Sequence, residues 1–211
     1  SLAAGAKNIW VDFESEPHLH VTILDDGNGM DRPTLREAMK LAGRSATMQR
    51  ESDDLGRFGL GLKTASLSQC RKLTVVAKKS TGHVHMATWD LDYLKMRNSW
   101  TLRWPEIDEV RSVPALENFN RRRSGTLVIW ENLDLLLSQS TVEQDEFTHI
   151  KESVAEHLSL VFHRFMQAVG RAKVRIYVNK HEVKPKDPFL EGHAGTSVRD
   201  ELRISIAGET V

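Results

Sequence analysis

The sequence predicts an α+β domain in two layers, a mixed and mostly antiparallel sheet covered by helices. Segments of alternating polarity at residues 8–13, 20–24, 73–77, 84–89 and 174–178 have the period of half-buried strands. Brief turns separate the first pair (residues 14–17) and the second (Ser80, Thr81 and Gly82 at its tip), which favours antiparallel neighbours. Apolar residues at three- and four-residue steps mark helices elsewhere, most clearly over residues 143–169. Strands and helices with one apolar face each must bury it, and helices laid on a sheet do so in two layers.

The 211 residues suffice for one large domain, or one domain with part of a second. Hydrophobic residues make up 40% and charged residues 27%, enough for a real core. Lys+Arg and Asp+Glu balance at 29 each, so net charge gives nucleic acid no support as a partner, although local basic patches stay open. The single cysteine, Cys70, excludes an internal disulfide framework and a Cys-based zinc cluster, and fits a cytoplasmic setting. No apolar run approaches the about 18 residues of a membrane span, and residues 1–7 carry no signal-peptide pattern. The absence of an initiating Met implies that residues precede Ser1.

Between the motifs the elements follow in order. Asp31 caps a helix with Pro33 in its first turn; Leu35, Ala38, Met39 and Ala42 share its buried face, and Gly43 stops it. Residues 44–55 are polar and aperiodic and read as a mobile loop. A helix follows over residues 62–69. Residues 91–123 resist assignment; Trp100, Trp104 and Pro105 suggest a strand end and irregular packing. Residues 125–130 form a strongly apolar strand. On the long helix, Phe147, Ile150, Val154, Leu158, Val161, Phe165 and Val169 form the core stripe. Asn179 and Lys180 turn the strand at residues 174–178 back on itself. After Pro185 and Pro188 the chain becomes loop-like, with residues 202–207 opening a further strand.

Three motifs carry chemistry. In Asp25-Asp26-Gly27-Asn28-Gly29 a carboxylate ends a strand, where it can accept from the exocyclic amine of adenine, and the glycines let backbone pass close to a flat ring. The same residues also read as a β-turn; a calcium loop fails because Met30 occupies a ligand position and no Glu closes it. Gly56-Arg57-Phe58-Gly59-Leu60-Gly61-Leu62-Lys63 is a glycine-rich turn entering a helix, which aims N–H groups, and the Lys63 charge, at phosphates. Its spacing is neither that of a Walker loop nor that of a dinucleotide fingerprint, and a flexible hinge is the plainer alternative. Thr126 on its strand can bridge to a purine, or serve structure alone.

Taken in this order, DxGxG (Asp25, Gly27, Gly29), GxxGxG (Gly56, Gly59, Gly61) and Gly125-Thr126 resemble the GHKL family of gyrase B, heat-shock chaperones, histidine kinases and MutL. GRFGLGLKTAS and SGTLVIWENL look most like MORC-type and related bacterial ATP-binding proteins. The resemblance implies the Bergerat fold and binding of ATP or ADP. It implies Asp25 on the adenine amine, with a water shared by Thr126, and Gly29 and Met30 lining the base. Residues 31–55 would include the ATP lid, and Gly56, Arg57, Phe58, Gly59, Leu60, Gly61, Leu62 and Lys63 would wrap the triphosphate. Ala4 matches the small residue beside adenine, and Lys7 would reach the nucleotide edge. The ATP-binding domain would span residues 1–170, with residues 171–211 a terminal hairpin and the start of a transducer-like second domain. In such relatives ATP drives pairing of two domains, so a nucleotide-dependent homodimer is expected. A histidine-kinase catalytic domain and a non-catalytic interaction module share the fold and stand as alternatives.

Other sites are weaker. His18/His20 and His83/His85 are i, i+2 pairs without a third ligand and read as exposed strand histidines. Arg121, Arg122 and Arg123 read as a solvated run, and Phe147, Phe162 and Phe165 as core packing. The family's first motif, a helix with a catalytic Glu and a Mg²⁺-binding Asn, would lie before Ser1, so Mg²⁺ is expected only with that Asn present. Hydrolysis needs both. The expectation is therefore weak or lost nucleotide binding in the 211 residues and no ATPase activity; multiple turnovers in a hydrolysis assay would show the motif alignment to be wrong.

Overall fold

The computed structural model describes residues 1–16, 18–40, 61–133, 143–170, 173–197, 205–206 and 209–210. Its centre is a seven-stranded sheet. The strands are β1 (Asn8–Glu14), β2 (His20–Asp25), β3 (Lys72–Lys78), β4 (His85–Asp90), β5 (Gly125–Glu131), β6 (Arg175–Val178) and β7 (His181–Glu182). They lie in the order β4-β3-β5-β2-β1-β6-β7. Every neighbouring pair is antiparallel except β1 with β6, which run parallel. The predicted α+β class and mostly antiparallel sheet are what the structure has. Two further short strands, β8 (Ser205–Ile206) and β9 (Glu209–Thr210), pair with each other alone.

Alternation along each strand divides the sheet into two faces. Ile9, Val11 and Phe13 of β1, Val75 of β3 and Ile176 of β6 join the larger apolar cluster. Helices cover it: α1 (Arg32–Met39) buries Leu35 and Met39, and α5 (Glu143–Val161) sets Phe147 edge-on against Phe13 at 5.3 Å. On α2 (Gly61–Leu67) Ser66 accepts from the Trp130 indole N–H of β5 at 2.9 Å.

The opposite face has its own core. Leu24, Val76, Met86, Leu127 and Ile129 pack against Val110, Val113, Leu116 and Phe119. These last come from the stretch that resisted assignment, which holds α3 (Leu91–Arg97), a 3₁₀ turn at Ile107–Val110 and α4 (Ala115–Asn120). The elements are too short to display helical periodicity, so their covering role is invisible in the pattern. Trp104 lies partly buried against the larger cluster, and Arg103 makes an isolated bridge to Thr88.

Two helices end earlier than their stripes imply. The stripe of α1 continues to Ala42, yet the helix stops at Met39 and Lys40 is extended. Side chains from elsewhere take its last carbonyls: Lys63 Nζ donates to Ala38 O at 3.0 Å and Trp89 Nε1 to Met39 O at 2.8 Å. Residues 41–60 lie outside the described part. The helix expected over residues 143–169 breaks at Phe162 and resumes as α6 (His163–Gln167). His163 Nδ1 contacts Leu160 O at 2.6 Å, and the break turns His163 and Met166 inward. Val161, Phe165 and Val169, expected in the core, are 52%, 39% and 92% exposed.

Phe119 carries much of the second core, with no exposed surface. Phe119→Ala should cost about 3–5 kcal/mol in urea denaturation, the range for emptying a packed aromatic site. A change below about 1 kcal/mol would mean that the 107–120 segment does not fold with the sheet.

Candidate functional site

The site grows from the end of β2. Asp25 is the last residue of the strand, paired with Ile9 on one side and Thr126 on the other. It is only 5% exposed. A buried carboxylate is tolerated when donors surround it. Here Oδ1 accepts from the Gly27 N–H at 3.0 Å and the Thr126 N–H at 3.3 Å, and Oδ2 accepts from Ser1 Oγ at 2.8 Å. Among the described residues these fill three of the roughly four lone-pair positions of a carboxylate, with the Ser1 ammonium 3.9 Å from Oδ2, which leaves capacity for one more donor. Half-buried Thr126 lies beside it, held between Asp25 and Ala77 in the ladder.

Asp26 pins the following turn to β1. Its Oδ1 accepts from the N–H groups of Lys7 and Asn8 at 2.7 and 2.9 Å, and its Oδ2 from Asn8 Nδ2 at 2.6 Å. Burial pushes the Asp26 carboxyl up, but the hydrogen bonds from Asn8 and Lys7 and the nearby Arg122 charge together hold it below the usual range. The same Arg122 guanidinium lies over the Trp10 ring at 3.7 Å. The arginine run is thus not wholly solvated.

The glycines have a structural reason of their own. A Cβ on Gly27 would stand 2.8 Å from the Ala4 carbonyl, whose oxygen also accepts from the Asn28 N–H at 2.9 Å. Gly29 has φ +64°, and a Cβ there would meet Lys78 O at 1.8 Å and Gly125 O at 2.9 Å. The close approach at both positions is made by the chain's own backbone.

Asp25, Gly27, Gly29, Thr126 and Ala4 therefore converge. Met30 and Leu62 are partly buried against the larger apolar cluster. Gly61 opens α2, whereas Gly56, Arg57, Phe58, Gly59 and Leu60 lie outside the described residues, as do residues 41–55 of the expected lid. Lys63 is 1% exposed, with its ammonium at the C-terminal end of α1, where helix carbonyls favour a cation. Burial lowers its pKa. Sequence reasoning passed over Ser1 and Asp26 as site residues; the doubled acid Asp25-Asp26 was the available signal for the second.

Among the described residues no group of three or more His, Cys, Asp or Glu is arranged to hold a metal ion. His20, expected on the surface, is fully buried, with Nδ1 2.7 Å from His18 O. Non-local packing, absent from any local pattern, decides this. His18 remains half-exposed, with Nε2 3.0 Å from Glu131.

The family model for the histidine kinase-, DNA gyrase B- and HSP90-like ATPases matches residues 1–126, more than half of the chain. The chain belongs to this family. The comparison with curated proteins gives no match. Membership in these GHKL-type ATPases makes the domain an ATP-binding one and accounts for its sheet. Among the described residues no helix is long and apolar enough to cross a membrane.

Gly29→Ala should cost more than about 2 kcal/mol, combining left-handed strain with overpacking against two carbonyls. Gly82→Ala is the matched control, since a Cβ there comes no nearer than 3.7 Å to any neighbour. Equal melting temperatures for the two variants would contradict the packing described for the turn.

Proposed function

We propose that Asp25 accepts a hydrogen bond from the adenine amine of ATP and that the domain acts as an ATP-gated conformational or dimerisation switch. The observation that carries this reading is the remaining acceptor position on buried Asp25, beside Thr126 and the glycine turn. A fixed carboxylate of this kind selects a purine bearing an amine, because one bearing a carbonyl would leave two acceptors facing each other. In this reading Thr126 holds a water shared with the base, and Ala4, Gly27, Gly29 and Met30 line the ring. Residues 56–63 wrap the triphosphate through their backbone N–H groups, and the Lys63 ammonium would have to leave Ala38 O to join them. The ATP-binding domain takes residues 1–170, residues 31–55 include the lid, and residues 171–211 lead toward a transducer-like partner domain. Closeness to MORC-type proteins rests on GRFGLGLKTAS and SGTLVIWENL.

Switching follows from differential affinity. A ligand that binds the closed form better shifts the population by that difference and no more. Mg²⁺ neutralises phosphate charge when it accompanies the nucleotide.

In the intact protein, Asp25→Ala should weaken ADP binding by about 10- to 150-fold in calorimetry, the range for losing a hydrogen bond to a charged group. A non-hydrolysable ATP analogue should raise the mass measured by light scattering toward a dimer. Unchanged ADP affinity in the variant would sink the Asp25 assignment, and an unchanged mass in saturating analogue would remove dimerisation from the reading.

A further inference from the structure

A second concave surface lies away from Asp25 and shares none of the converging residues. It is an open groove of about 1240 Å³ between α1 and the strand-like segment at residues 100–104. One wall is basic. Arg32 and Arg36 lie four residues apart and so share one side of α1, about 6 Å apart along its axis, and Lys40 follows as the extended residue at its C-terminal end. Lys40 pairs with Glu37 at 2.6 Å, but Arg32 and Arg36 have no carboxylate partner among the described residues. The other wall is aromatic. Trp100 is 73% exposed, with an edge contact to buried Trp89 at 6.2 Å. Trp104 lies under the Arg32 guanidinium at 4.9 Å.

An exposed tryptophan and a neighbouring arginine row suit a ligand that is flat and anionic by turns. Single-stranded nucleic acid has that composition, because unpaired bases present ring faces and its backbone presents phosphates. A duplex hides those faces within its stack. A peptide that adds a strand to the sheet would need the free edge of β4. That edge is blocked at Thr88, whose N–H and carbonyl are both taken by Arg103 at 3.0 Å. The balanced net charge of the whole chain does not oppose this, because the basic residues concerned are local.

We propose that this groove binds single-stranded nucleic acid, with phosphates along Arg32, Arg36 and Lys40 and a base stacked on Trp100. The proposal does not rest on the nucleotide reading for Asp25.

The test is fluorescence anisotropy of a labelled oligothymidine of about 12 nucleotides, within the site size of such binders, against the full chain across a salt series. Expected is saturable binding that weakens with salt by about 0.7 log units per log unit for each phosphate engaged. Trp100→Ala should weaken it by about 5- to 150-fold, Trp100→Phe should restore most of it, and Arg36→Ala should reduce the salt slope by about 0.7. Arg36 and Trp100 are both exposed, so melting curves should be unaltered. Should Trp100→Ala melt early, Trp100→Phe and Arg36→Ala decide the question. No binding at low salt would overturn the proposal, as would binding indifferent to Trp100 and Arg36. Tighter binding of a duplex of equal length, or of polyglutamate, would overturn it in favour of that partner class.

Discussion

A carboxylate held out of water at the end of a central strand sets the terms for everything around it. Asp25 cannot be buried there without donors, and those donors come from three separate stretches of chain: the turn at Gly27, the strand at Thr126 and the serine at position 1. The turn that supplies Gly27 must fold tightly against Ala4, and two residues later it must pass under the carbonyls of Lys78 and Gly125. Only residues without a Cβ fit those two places. The neighbouring Asp26 ties the same turn to the start of β1. The DxGxG signature is therefore first a packing solution. Its use for a purine depends on the acceptor capacity that the packing leaves over.

The sheet carries this arrangement because it is held from both sides. Helices close one face and the 107–120 segment closes the other under β2, β3, β4 and β5. On the helical side, Lys63 from α2 and Trp89 from β4 cap the same end of α1. That capping links the helix after the glycine turn to the helix after the adenine-type motif.

Much of the fold was legible because strands have a strict period and the sheet uses it on both faces. The six alternating or apolar segments became β1 to β6 with shifts of a residue or two at their ends, and residues 205–206 fall within the predicted late strand. The glycines Gly27 and Gly29 were legible for another reason: their spacing reflects backbone demands that few residue types meet. Part of what escaped was decided at a distance. The end of α1 is set by side chains more than twenty residues away, whereas the break after Val161 goes with a local contact, His163 Nδ1 on Leu160 O. The burial of His20 is set by what packs over the sheet. Residues 107–120 escaped because one-turn helices have no room to repeat a pattern.

The measurement that bears most directly on the central claim is a comparison of ADP with its inosine counterpart by calorimetry on the intact protein. The two differ where Asp25 would read the base: an amine that donates, or a carbonyl that accepts. The account predicts a preference for ADP of at least about 100-fold, because a site built around an acceptor rejects a second acceptor. Equal affinities would mean that the Asp25 carboxylate does not face the base.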